Sequence, residues 1–121
     1  MVRCDLTICD VYALASKSIG IFYVGLTTDL PQRYKQHLAG DGNDEKTRLI
    51  RVLQADEEEI EVIRLDVGVG MEEGRQLESF WILYYTLARA SLTNTSPGAL
   101  LEMCWIDQAH RERLKAVIRK W

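Results

Sequence analysis

The chain has 121 residues, 47% of them apolar and 27% charged, and a net charge of −3 at neutral pH. That length holds a single core and excludes a second autonomous domain, and the composition excludes a disordered or fibrous polymer. The acidic balance excludes a protein that coats nucleic acid through bulk charge, and no apolar run reaches the ~18 residues a membrane helix needs.

In chain order, the opening MVRCDLTICD carries acids inside its apolar stretch and no cleavage-site pattern. It is therefore expected to belong to the mature chain of a soluble, cytoplasmic protein. Residues 6–15, LTICDVYALA, are rich in β-branched and apolar types and stop at SKS, which reads as a turn; residues 19–25, IGIFYVG, form a second such run. The short gap predicts an antiparallel hairpin, with Gly25 ending the second strand. Asp29 is the expected N-cap of a helix, with Gln32 in the capping-box position and Pro31 in the first turn, where its missing N–H is harmless. Leu30, Tyr34 and Leu38 repeat at helical spacing, and AGDGND ends the helix.

Asn43 is the expected cap of a second helix with Asp44 and Glu45 in its first turn and Leu49, Val52 and Leu53 as its apolar face. EIEVIRLDV, residues 59–67, predicts a third strand followed by a GVG loop. Residues 71–88 make the strongest helix, with Leu77, Phe80, Trp81, Tyr84, Leu87 and Ala88 on one stripe. SLTNTSPG breaks it, and Ser96-Pro97 opens a last helical region that buries Leu114, Val117, Ile118 and Trp121. The order β-β-α-α-β-α-α predicts a small α/β domain: a three-stranded antiparallel or mixed sheet flanked by helices.

Charge is unevenly spread. Asp56 to Glu61 holds five acids, which reads as solvated surface, while residues 110–120 carry five Lys/Arg against one Glu. Cys4, Cys9 and Cys104 lack metal-ligand spacing and are expected as reduced thiols, and His37 and His110 are too few and too far apart for a zinc site.

Several of these segments, taken together, resemble a known family. VYALA at 11–15, FYVG at 22–25 and TTDLPQRYKQHL at 27–38 are similar to the opening of a GIY-YIG nuclease domain. That opening has a tyrosine on the first strand, a Tyr-Ile-Gly-like triplet on the second and a helix bearing Arg-x-x-x-His. LESFWILYY then places Glu78 on a later helix and LTNTSPG places Asn94 after it, both in the family's order. The first motif reads Asp10-Val11-Tyr12, keeping the tyrosine but not the glycine and isoleucine, and Val24 stands for isoleucine in the second. The resemblance runs over about residues 7–98, so a nuclease domain is expected over 1–98 and a helical extension packed on it over 99–121.

The resemblance implies a metal-dependent endonuclease or nickase acting on DNA, with Tyr12, Tyr23, Arg33, His37 and Glu78 as its catalytic set. Glu78, the sole acid at a family-matching position, would anchor Mg²⁺ or Mn²⁺. Arg33 would neutralise charge growing on the phosphorane-like transition state. Tyr12 would act as general base once a neighbouring cation lowers its pKa, and Tyr23 and His37 would orient phosphate or water. Gly25, Arg33 and Asn94 form the expected substrate-binding group, with Asn94 tying the loop after the Glu78 helix to the site. Homing and repair members of the family carry separate DNA-binding domains, and none fits here, so a DNA-targeting partner or a homodimer is expected to supply affinity.

Taken singly, these residues have blander readings: Tyr12 and Tyr23 as sheet aromatics, Arg33 and His37 as surface groups, Glu78 as the border of an apolar stripe. Their occurrence together in family order favours the nuclease. The alternative is a non-catalytic nucleic-acid-binding or protein-interaction module with the same fold.

Overall fold

The computed structural model describes residues 7–40, 42 and 44–94. Six elements follow one another: β1 (Ile8–Ser16), β2 (Gly20–Thr27), α1 (Leu30–Ala39), α2 (Glu45–Ala55), β3 (Glu61–Gly70) and α3 (Met71–Leu87). The expected final helix after Ser96-Pro97 and the 99–121 extension lie outside the described residues. The sheet is antiparallel throughout, in the order β2-β1-β3. No helix among the described residues is long and apolar enough to cross a membrane.

β1 is the central strand and is buried from Val11 to Ser16, on both faces. Side chains alternate along a strand, so Val11 joins a cluster with Val24 and the α3 residues Leu77, Phe80, Trp81 and Ile82. Tyr12 and Leu14 point the other way, into a cluster with Phe22, Leu30, Ile50, Leu53 and Ile60. The sheet therefore lies between α3 on one side and α1 with α2 on the other.

Several expectations shift by a few residues, each for a visible reason. The GVG segment is strand, not loop: β3 runs on to Gly70, which pairs with Ile8, and the β1–β3 register slips near Val11. Gly68 at φ 70° supplies the left-handed residue that such a bulge requires. Asp29 does cap α1 by accepting from the Gln32 N–H, but its own N–H donates to Thr27 Oγ1 instead of completing a capping box. α2 is capped by Asp44, whose Oδ1 accepts from the Thr47 N–H at 2.7 Å; Asn43, the expected cap, is outside the described residues. The buried stripe of α2 is Thr47, Ile50 and Leu53, and Val52 is 57% exposed. On α3, Ile82 is buried and Ala88 ends the helix in solvent.

The chain after α3 returns to the open edge of β2. Thr93 donates twice to the Phe22 carbonyl, from N–H at 2.7 Å and from Oγ1 at 2.9 Å. Asn94 pairs with Val24 through both halves of its amide, at 3.0 and 2.8 Å. A side chain thus mimics a neighbouring strand and covers an edge that would otherwise be free to pair.

Candidate active site

The site starts from one register pair. Tyr12 on β1 lies opposite Gly25 on β2, and its ring occupies the space a side chain at position 25 would need. An added Cβ would sit 2.5 Å from the Tyr12 hydroxyl and 2.6 Å from Cζ. Gly25 is buried there, and its missing side chain makes room for the Tyr12 ring.

Above this pair stands α1, which brings Arg33 and His37 to the same side one turn apart. His37 Nε2 lies 2.6 Å from the Tyr12 hydroxyl. The His37 ring also meets Tyr23 edge-on, with centroids 5.4 Å apart, and the two tyrosine rings are 6.2 Å apart. The Arg33 guanidinium, steadied by Gln36 Oε1 at 3.3 Å, bears on both tyrosine hydroxyls. A guanidinium can only donate, so the Tyr12 oxygen offers a lone pair to Arg33, and with His37 in its Nδ1–H tautomer the tyrosine proton lies toward Nε2.

Electrostatics support that orientation. His37 is held down to about 4, first by burial and then by the charges of Lys46 and Arg33, so its ring is neutral at pH 7 and, in the Nδ1–H tautomer, Nε2 accepts. Tyr12 is raised, chiefly by burial and next by Tyr23, and the pull of Arg33 does not overcome this. The expected lowering of the Tyr12 pKa is therefore corrected: in the ligand-free protein Tyr12 keeps its proton, because it is fully buried and Arg33 is exposed. Tyr23 is raised as well, by burial and then by the charge of Glu78.

Glu78 reaches this centre from α3, on the opposite side of the sheet. Its charge registers at Tyr23 and, more weakly, at Tyr12. Burial alone raises its pKa, and no hydrogen bond or ion pair to its carboxylate is found among the described residues. A half-buried carboxylate without a cation is an unfavourable arrangement by itself and a suitable one for a divalent ion. Among the described residues no three His, Cys, Asp or Glu side chains gather. An ion here would rest on one carboxylate and keep most of its water, which suits Mg²⁺ or Mn²⁺ and does not suit zinc.

Asn94 spends its whole amide on Val24, one residue from Tyr23 and from Gly25. It braces the end of β2. Lys46 was not singled out by any sequence pattern, yet it belongs to the site. Its Nζ lies 4.8 Å from the Tyr23 ring centroid and 3.9 Å from Asp44 Oδ2. With Arg33, Gln36, His37 and Thr47 it lines an open cleft of about 270 Å³. No local spacing connects position 46 to position 37; only the packing of the start of α2 beside α1 does.

The family model described as the GIY-YIG catalytic domain matches residues 9–87. Neither the curated proteins nor the solved structures give a match.

Proposed function

The chain belongs to the GIY-YIG family, a family of nucleases, and on that premise we propose that it is a metal-dependent endonuclease or nickase that hydrolyses DNA phosphodiester bonds. One observation carries the reading: the Tyr12 hydroxyl is held 2.6 Å from a neutral His37 Nε2, with Arg33 over it and the Glu78 charge within range. Such hydrolysis needs a deprotonated water, charge neutralisation on the phosphorus oxygens and stabilisation of the departing oxygen.

Arg33 is exposed and free to turn its fork onto two phosphate oxygens. When it does, it leaves the Tyr12 oxygen open toward the phosphorus. Tyr12 then takes a proton from water while passing its own to His37 Nε2, so the pair, and not a resting tyrosinate, is the general base. His37 becomes an imidazolium and Tyr12 is neutral before and after. Tyr23 borders the same point and helps to fix the water or a phosphate oxygen. Glu78 would hold the divalent ion, which supplies Lewis-acid stabilisation of the phosphoryl and leaving oxygens.

Supercoiled plasmid and a panel of branched, nicked and linear DNAs, each with Mg²⁺ or Mn²⁺, test the proposal, with Glu78→Gln as control. Cleavage that requires the ion and drops at least ~10²-fold in the variant is the expected result. The complete burial of Tyr12 favours a second reading, a DNA-binding module without turnover. Binding without cleavage under every metal would establish it and overturn the first.

A further inference from the structure

The cleft between α1 and the start of α2 joins two cations. Arg33 enters it from α1 and Lys46 from the first turn of α2. Lys46 is half-buried against the Tyr23 ring; burial makes its ammonium less favourable than in water, the charge of Asp44 opposes this next, and the charge of Arg33 adds to it last. Asp44 answers it only in part, at 3.9 Å and largely exposed, because its other oxygen is engaged as the cap of α2. Two like charges brought together around an open cleft without a full counter-charge are an anion site in wait. Among the described residues the helix pair with its caps carries the same bias: Arg33, Lys35, Lys46, Arg48 and Arg51 stand against Asp29, Asp44 and Glu45, while the acids of residues 56–61 follow α2.

The shape of the cleft narrows the ligand. At about 270 Å³ and open to solvent, with Arg33, Gln36, Asp44 and Lys46 as its charged and polar lining, it is small for a whole organic ligand. It fits a short stretch of a charged polymer's backbone. We propose, resting on the nuclease reading above, that Lys46 grips the backbone phosphate next to the scissile one, so that the substrate is held by a pair of cations across two successive phosphates. Arg33 serves the reacting phosphate and Lys46 its neighbour. Lys46 also keeps the Tyr23 ring beneath the strand through its cation–π contact. Because the neighbouring phosphate does not change charge during the reaction, Lys46 contributes to binding equally in ground and transition states, and its loss falls on KM and not on kcat.

The experiment compares wild type, Lys46→Met and Lys46→Arg, using fluorescence anisotropy of a short labelled DNA duplex over a salt series together with steady-state cleavage. Lys46→Met is expected to weaken binding and raise KM about tenfold at moderate salt, and to lower the slope of log affinity against log salt by about one, the signature of one lost phosphate contact. Lys46→Arg is expected to restore the slope. An unchanged slope in a folded Lys46→Met protein, checked by circular dichroism, overturns the inference; so does a fall in kcat at constant KM. Wild-type binding without cleavage would overturn the nuclease reading while the slope still judged Lys46. Absence of wild-type binding would overturn both.

Discussion

Replacing Gly25 with alanine adds one methyl group to a strand whose backbone tolerates it, yet the structure predicts a large effect. The new Cβ would lie 2.5, 2.6 and 2.8 Å from the hydroxyl, Cζ and Cε1 of Tyr12. Ordinary carbon contacts fall at about 3.5–4.0 Å, so roughly 1 Å of overlap must be relieved. Tyr12 has no room to yield: it is fully buried and its hydroxyl is tied to His37. Overpacking of this kind costs about 1–3 kcal/mol, and loosening the Tyr12–His37 hydrogen bond adds about 1 kcal/mol. The sum, about 2–4 kcal/mol, corresponds to a fall in Tm of roughly 8–16 °C for a chain of this length. A displaced Tyr12 should also cut DNA cleavage by about 10²-fold. Calorimetry on Gly25→Ala, Tyr12→Ala and the double variant gives the decisive number. The penalty at position 25 should vanish once the ring is gone, because the two changes share one contact. An unaltered Tm in Gly25→Ala, or an equal penalty without the ring, would refute the steric argument.

Acid should destabilise the fold through His37. Its pKa is about 4 in the folded chain against 6.5 when exposed, so the proton binds the unfolded chain better. The stabilisation is complete above about pH 6.5 and is lost as pH falls toward 4, a change of about 3 kcal/mol; Tm against pH for wild type and His37→Gln should diverge in that window, and parallel curves would count against it. Arg33→Lys keeps the charge but loses the planar fork, and should lower kcat by about 10²-fold without changing the circular dichroism, since Arg33 is exposed. Near-wild-type turnover would remove Arg33 from the reacting phosphate. Asn94→Ala strips both hydrogen bonds from the Val24 backbone and should cost about 1–3 kcal/mol in urea unfolding. A midpoint that does not move would mean the end of β2 needs no strut.

Local patterns were legible wherever the physics is local. Runs of β-branched and apolar residues marked β1 and β2, helical spacing marked α1 and α3, and the Asp29 cap with Pro31 placed the start of α1 to the residue. Where competing local signals met, the reading slipped. The glycines at 68 and 70 read as a loop because a bulge and a turn call on the same residue, and only pairing with β1 distinguishes them. Val52 read as core because it is apolar at a plausible spacing, but which stripe of α2 faces inward depends on what α2 meets.

By itself, then, the sequence determined the order of the six described elements, the three-stranded sheet, membership in the GIY-YIG family and the choice of Tyr12, Tyr23, Arg33, His37 and Glu78 as residues to look for together. Tertiary structure alone decided their states: that Tyr12 keeps its proton, that His37 is neutral beside it, that Asn94 is spent on Val24, and that Lys46 stands over Tyr23. The physical reason is that side-chain type follows from the chain, whereas burial and the charges nearby are set by residues distant in sequence, and protonation answers to those surroundings.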